Sequence, residues 1–284
     1  MAQLTSIHRF PVKSCRGESL DAAVVEPWGL AGDRRWMVVD DEGVVITARE
    51  VNQLVLVHPE ITPTGLRLTA PDLPTLDVAT PDPATQTPVA IWSSRLDAVP
   101  AGGEADAWVS KALGVTARLV HLDDPLKRPT SPTFSEPGDR VSFADGYPLL
   151  LTTEESLAAL NDVVLAGAAG ERAPLPMTRF RPNVVVSGVE AWAEDDWRRI
   201  RIGDAVFRAV KGCARCVLTT IDPDSAVREK EPIRSLARIR RWDGATWFGI
   251  NLVPDTYGVT IRLGDDFEVL DAVASGAGPI RPIR

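Results

Sequence analysis

Short β-like runs, cut at close intervals by Gly and Pro, fill the first hundred residues and restrict what this chain can fold into. The runs are Leu4–Phe10, Ala22–Glu26, Trp36–Val39, Val44–Ala48, Leu54–His58, Leu66–Thr69 and Val89–Trp92. They are rich in Val, Ile and Thr, and breaks such as Pro27-Trp28-Gly29 and Thr64-Gly65 separate them. This spacing predicts an antiparallel barrel or sandwich rather than alternating β-α-β units. A helix is expected over Glu104–Leu113, where apolar residues recur at helical spacing and Gly114 offers a stop.

The segment from Leu122 to Arg140 carries four prolines and little periodicity. It reads either as an interdomain linker or as a loop over a site. The second half is mixed. Thr153 is placed to cap a helix through "TTEESLAALNDV", with acids in its first turn. Strands are expected at Asn183–Ser187, Arg199–Ile202, Ala205–Val210 and Val217–Ile221, then a helix over Pro232–Arg240 with Pro in its first turn. Strands return at Gly249–Val253, Thr260–Arg262 and Phe267–Leu270, and the end reads as a loose tail.

A chain of 284 residues accommodates one large or two medium domains. Its 31 Lys and Arg against 39 Asp and Glu leave a formal charge of −8. That balance disfavours bulk nucleic acid or an anionic membrane face as partner. No apolar run is long enough to span a bilayer. The opening MAQLTSIHRF lacks the basic-then-apolar pattern of a signal peptide, and three cysteines do not suggest a secreted disulfide framework. A soluble, cytoplasmic protein is expected.

Two of the three cysteines, Cys213 and Cys216, form a Cys-x-x-Cys pair. A zinc site wants four soft ligands, and Cys15, His8, His58 and His121 offer no paired spacing. A thioredoxin-like pair sits where a strand meets a helix, whereas this one lies between two strand-like runs. Two inert, buried cysteines are a further reading. Arg215 beside Cys216, Lys211 just before, and the run Arg179-Phe180-Arg181-Pro182-Asn183 favour a thiolate, the nucleophilic and metal-binding form. Lys13, Ser14, Arg34 and Arg49 lie on separate loops from which they can converge on oxyanion oxygens. The alternative for these cations is solvated surface charge. There is no G-x-G-x-x-G after a strand, no Walker A loop and no G-x-S-x-G. A dinucleotide fold, a P-loop enzyme and a Ser-His-Asp hydrolase are therefore not expected.

Taken together, "FPVKSCRG", "GDRRWMVVD", "VVITARE", "RFRPNVVVSG", "AWAEDDWRRIRIG" and "GCARCVLTTIDPDS" resemble, in order and spacing, the MOSC family in its form with an N-terminal MOSC β-barrel domain, the group that includes the amidoxime-reducing components. The resemblance runs from about Leu4 to about Leu270. It implies a mainly β fold with a few helices, divided as an N-terminal β-barrel-like domain over 1–121, a MOSC β-barrel domain over 122–275 and a tail over 276–284. It also implies a molybdenum cofactor, the metal held by the dithiolene of a phosphorylated pterin (Mo-molybdopterin), with Cys216 as protein ligand and catalytic residue. By the same resemblance Lys13, Ser14, Arg34, Arg181 and Asn183 bind the cofactor, with Arg215 and Asp145 of "FADGYP" added. Asn183 either bonds the pterin or fixes the loop, and Cys213 is a packing residue. Asp222 and Asp224 set a turn, with proton donation the lesser reading. The implied activity is reduction of N-hydroxylated compounds, with electrons from a separate ferredoxin or flavoprotein reductase and the substrate pocket between the two domains. No iron–sulfur domain and no membrane anchor are expected. The alternatives are a cofactor carrier of the kind found at the end of molybdenum cofactor sulfurases, here without a pyridoxal-phosphate domain, and a bare fold without cofactor.

Overall fold

The computed structural model describes residues 1–167 and 173–276. The fold is mainly β, with three α-helices among the described residues: α1 (Gly103–Leu113), α2 (Glu154–Ala166) and α3 (Ile233–Ile239). Most of the expected tail, 277–284, lies outside the described residues. No helix described is long and apolar enough to cross a membrane.

A nine-stranded sheet forms the backbone of the molecule. Its order is Phe267–Ala272, Trp197–Ile202, Ala205–Ala214, Ala245–Pro254, Leu149–Thr153, Val184–Ser187, Gln3–Arg9 and Glu18–Leu20, with Arg241–Trp242 pairing beside Ala245–Pro254. The pair Leu149–Thr153 and Val184–Ser187 is parallel, and the other partners along this path run antiparallel. The first strand of the chain thus completes the sheet of the second half, pairing Ile7 with Val184. Inward side chains Leu4, Ile7, Leu151, Val186, Ile200, Phe207 and Leu252 pack into one core. The alternation is visible in Trp197–Ile202, where Trp197, Ile200 and Ile202 are buried and Arg199 and Arg201 face out.

The N-terminal half holds a second core. A four-stranded antiparallel sheet (Trp36–Val39, Arg118–His121, Ser94–Pro100, Thr87–Ile91) lies near the meander His58–Thr62, Gly65–Thr69 and Leu76–Ala79. Helix α1 buries Trp108, Val109 and Leu113 against Leu54, Leu66 and Leu119. Gly114 ends it in the left-handed region at φ 69°, which glycine adopts without a Cβ penalty. Helix α2 starts at Thr153, whose hydroxyl accepts from Ser156 N at 3.0 Å. Helices α2 and α3 share a cluster of Leu160, Val164, Leu236, Phe180 and Phe248.

Three expected strands are corrected. Leu54–His58 is largely a 3₁₀ turn over Asn52–Leu56, because Leu54 and Val55 turn inward into the α1 core. Val44–Ala48 makes only isolated bridges, Val39 to Val45 and Val44 to Ala90. It then turns at Thr47, whose N–H and hydroxyl donate to Glu50. Val217–Ile221 is also one 3₁₀ turn, Val217–Thr220, despite its β-branched residues. The Thr219 hydroxyl donates to Cys216 O at 3.0 Å and the Thr220 hydroxyl to Val217 O at 2.7 Å. These local bonds compete with a sheet ladder. The Pro-rich stretch Leu122–Arg140 is tied to the fold at buried Leu122, Pro125, Arg128, Thr130 and Ser135. Arg128, 4% exposed, donates to the carbonyls of Ser142, Ala144 and Asp145.

Candidate functional site

Two bulges shape the strand that carries the cysteines. Ala209 faces Leu252 and Lys211 faces Asn251, so Val210 is an extra residue on Ala205–Ala214. One step further, Gly212 faces Ile250 and Ala214 faces Trp247, and there the partner strand carries the surplus. Gly249 on that partner holds φ 77°, and a Cβ would lie 2.7 Å from Leu151 O. Asn251 Nδ2 ties the distorted stretch by donating to Lys211 O at 3.1 Å. The ladder then gives way to the turn that begins at Cys216.

A cavity of about 130 Å³ opens there. Its lining brings together all eight residues singled out in the sequence: Lys13, Ser14, Arg34, Asp145, Arg181, Asn183, Arg215 and Cys216. They arrive from separate loops of both halves of the chain. Arg49, one of the loop cations but outside the set that the resemblance implies, lines it as well, and so does Cys213. The lining holds five cations (Lys13, Arg34, Arg49, Arg181, Arg215) and one carboxylate (Asp145). In a chain of formal charge −8, this net-cationic lining suits an anion.

The cations are fixed by specific partners. Lys13, 5% exposed, donates to Asp145 Oδ1. Arg49 Nη2 donates to Asp145 Oδ2 at 2.8 Å, and Arg49 Nε donates to Cys216 Sγ at 3.3 Å. Arg215 Nη1 donates to Cys213 Sγ at 2.8 Å and its Nη2 to Phe180 O at 2.7 Å. Arg215 Nε is buried and has no partner in the protein. Such a donor is costly to bury unless something accepts from it. Arg34 Nη1 bridges Asp33 Oδ2 at 2.6 Å and Asn183 Oδ1 at 2.9 Å. Arg181 Nη1 donates to Cys15 O at 2.7 Å. The guanidinium groups of Arg34 and Arg181 both lie 4.3 Å from the centre of the Phe10 ring. These contacts hold the two like charges in register.

Three of the lining residues are backbone outliers. Ser14, Arg34 and Arg181 hold φ of 67°, 47° and 57°. None is glycine, and each costs of order 1 kcal/mol or more. Strain of this kind collects where side chains must be aimed.

The electrostatics follow from burial and charge. Burial brings the Lys13 ammonium down to about 8, against the pull of Asp145. Loss of solvent alone would raise the Asp145 carboxyl, but Lys13 and Arg49 outweigh it and hold the group well below the usual carboxylate range. Burial pushes the Cys213 thiol up, opposed by Arg215. The third cysteine, Cys15, is 1% exposed and its thiol is pushed to about 12 by burial.

Asn183 spends its side chain on the scaffold. Oδ1 accepts from Arg34 and from Leu150 N, and Nδ2 donates to His8 O. Of the two roles open to it, this geometry is that of a loop fixer. Cys213, expected as a packing residue, instead reaches the cavity and takes a hydrogen bond from Arg215. Asp222 Oδ1 accepts from Asp224 N, Ser225 N and Ser225 Oγ, and Oδ2 accepts from Arg179 Nη2 at 2.9 Å. Asp224 accepts from Arg16 at 2.6 Å. Neither acid lines the cavity. The signal that could have kept Arg49 in the set is the turn signature Thr47-x-x-Glu50, whose hydrogen bonds close a turn at Ala48 and Arg49.

Residues 1–116 match the MOSC N-terminal beta barrel domain and residues 138–268 match the MOSC domain. The chain is 34% identical to mitochondrial amidoxime-reducing component 1 of Homo sapiens, an alignment covering 92% of this chain and 81% of that protein. It is 32% identical to mitochondrial amidoxime reducing component 2 of Homo sapiens, over 90% of this chain and 80% of that protein. It is also 31% identical to molybdenum cofactor sulfurase of Oryza sativa subsp. japonica, over 88% of this chain but 32% of that protein.

Proposed function

This chain belongs to the MOSC family, an N-terminal MOSC β-barrel domain followed by a MOSC domain, and on that premise we propose that it is a molybdenum-cofactor-dependent reductase of N-hydroxylated compounds such as amidoximes and hydroxylamines, supplied with electrons by a separate protein. The observation that carries the reading is Cys216 in a cavity lined by five cations and one carboxylate. A thiolate suits a soft metal, and Arg and Lys suit the oxygens of a phosphorylated pterin. Arg215, whose Nε has no partner within the protein, is among the residues that line the cavity. Among the described residues no group of three or more His, Cys, Asp or Glu is gathered to hold a metal ion. A metal at Cys216 would therefore bring its other ligands with it. The relatives named amidoxime-reducing components support the reaction class.

In this reading Cys216 is the metal ligand. Lys13, Ser14, Arg34, Arg181 and Arg215 hold the anionic part of the cofactor. Asp145 orients Lys13 and Arg49 through one carboxylate. Arg49 holds the sulfur of Cys216 in place. Asn183 braces Arg34 from behind. The bound cofactor supplies two-electron removal of oxygen from nitrogen. The match to the sulfurase favours a second reading, a cofactor carrier without catalysis of its own.

Molybdenum content and turnover separate these. The protein is made in a host that synthesises the pterin cofactor, beside Cys216→Ala and Cys213→Ala. The expected result is a molybdenum-to-protein ratio near one in wild type and Cys213→Ala, collapsing in Cys216→Ala, together with benzamidoxime reduction by a chemical donor. Metal retention without turnover favours the carrier. Equal metal content in wild type and Cys216→Ala overturns the ligand assignment.

A further inference from the structure

Charge is not spread evenly over this acidic chain. Between residues 226 and 243 five cations are exposed, Arg228, Lys230, Arg234, Arg238 and Arg241, against two exposed acids, Glu229 and Asp243. The acids are partly committed inward, since Glu229 accepts from buried Arg179 at 2.7 Å. Val227 and Ile239 stand out of the same stretch at 58% and 42% exposure. The surface is therefore basic with two apolar side chains within it, a charge pattern that can steer and orient an acidic partner.

Its position links it to Cys216 from two sides. Arg228 Nη2 donates to Arg49 O at 2.6 Å, and Arg49 Nε is on Cys216 Sγ. On the other side Arg241 pairs with Thr246, and Thr246 O accepts from Arg215 N at 2.7 Å. Arg241 is thus two strand spacings, roughly 10 Å, from the residue that precedes Cys216. Helix α3 lies between Arg228 and Arg241 in sequence and packs on Ala245–Pro254 and on the turn Val217–Thr220.

We propose that this face, residues 226–243, docks an acidic electron-donor protein of the ferredoxin type. The proposal rests on the reductase reading above. A donor must come close to a site that sits within the protein, and this surface is both next to Cys216 and opposite in sign to the rest of the chain. Complementary charge orients such encounters and raises their rate by ~10- to 1,000-fold at low ionic strength.

The test uses an acidic plant-type [2Fe–2S] ferredoxin as probe, with binding measured by calorimetry on the full chain. Lys230→Glu/Arg238→Glu/Arg241→Glu reverses three exposed charges that line no part of the cavity. Binding is expected to weaken at least tenfold at about 20 mM salt, with the difference shrinking towards about 0.5 M as screening takes over. A second variant guards against misfolding. Asp243→Asn, at φ 49°, keeps a residue type that tolerates this conformation and is expected to tighten binding. Wild-type affinity in the triple variant overturns the proposal. So does binding of anionic vesicles or duplex DNA by this face with no binding of ferredoxin. Benzamidoxime turnover with a chemical donor is read separately: its absence counts against the reductase reading, while the salt-dependent loss of ferredoxin binding still decides the surface.

Discussion

Asn183→Ala tests whether the cavity is built on the scaffold bonds described above. The side chain is 1% exposed. It accepts from Leu150 N at 3.2 Å and from Arg34 Nη1 at 2.9 Å, and donates to His8 O at 3.2 Å. These three partners belong to the strand Leu149–Thr153, the Arg34 turn and the strand Gln3–Arg9, so one amide clamps both halves of the chain. Truncation leaves the buried Leu150 N–H and the half-buried His8 carbonyl without that partner. Each such buried group costs about 1–3 kcal/mol. Mid-range for the buried Leu150 N–H and the low end for the half-buried His8 carbonyl give about 3 kcal/mol, with Arg34 losing one of its partners in addition. For a chain of this size each kcal/mol moves the melting temperature by roughly 2–4 °C. Asn183→Ala is therefore expected to melt about 6–12 °C below wild type in cofactor-free protein, followed by circular dichroism. A fall of less than about 2 °C would refute the reasoning and return Asn183 to the role of direct cofactor ligand.

Two further outcomes concern pH. Glu194 is fully buried, and burial raises its carboxyl to about 7 while Ser156 Oγ donates to it at 2.9 Å. A carboxyl raised on folding binds more protons in the native state, so its contribution is complete below about pH 4.5 and is lost as pH rises to about 7. Glu194→Gln is expected to be more stable than wild type at pH 8 by about 2–3 kcal/mol, with little difference at pH 4.5, in urea titrations at both values; equal curves would remove Glu194 as a buried ionising group. Lys13, brought down to about 8, is charged below that pH and neutral above it. Affinity of the cofactor-free protein for inorganic phosphate is expected to fall as pH rises through about 8, and Lys13→Met is expected to abolish that step.

The sequence by itself determined the class of the fold. Short, β-branched runs cut by Gly and Pro favour short strands, and most of them form one, while the caps at Thr153 and Gly114 are local events that need no tertiary partner. The family motifs also carried the identities of the eight cavity residues, because a ligand set is written in residue type and order. The tertiary structure decided what those residues touch. Val217–Thr220 coils although its residues favour a strand, since the Thr219 and Thr220 hydroxyls bond back to the preceding carbonyls while the bulged ladder before them gives way. The joining of Gln3–Arg9 to Val184–Ser187 spans most of the chain, a contact no local pattern reports. That pairing brings Lys13 and Arg34 to Arg181 and Asn183. The meeting of Arg49 with Cys216 likewise depends on two turns far apart in sequence, and so the sequence marked Arg49 only as one loop cation among several.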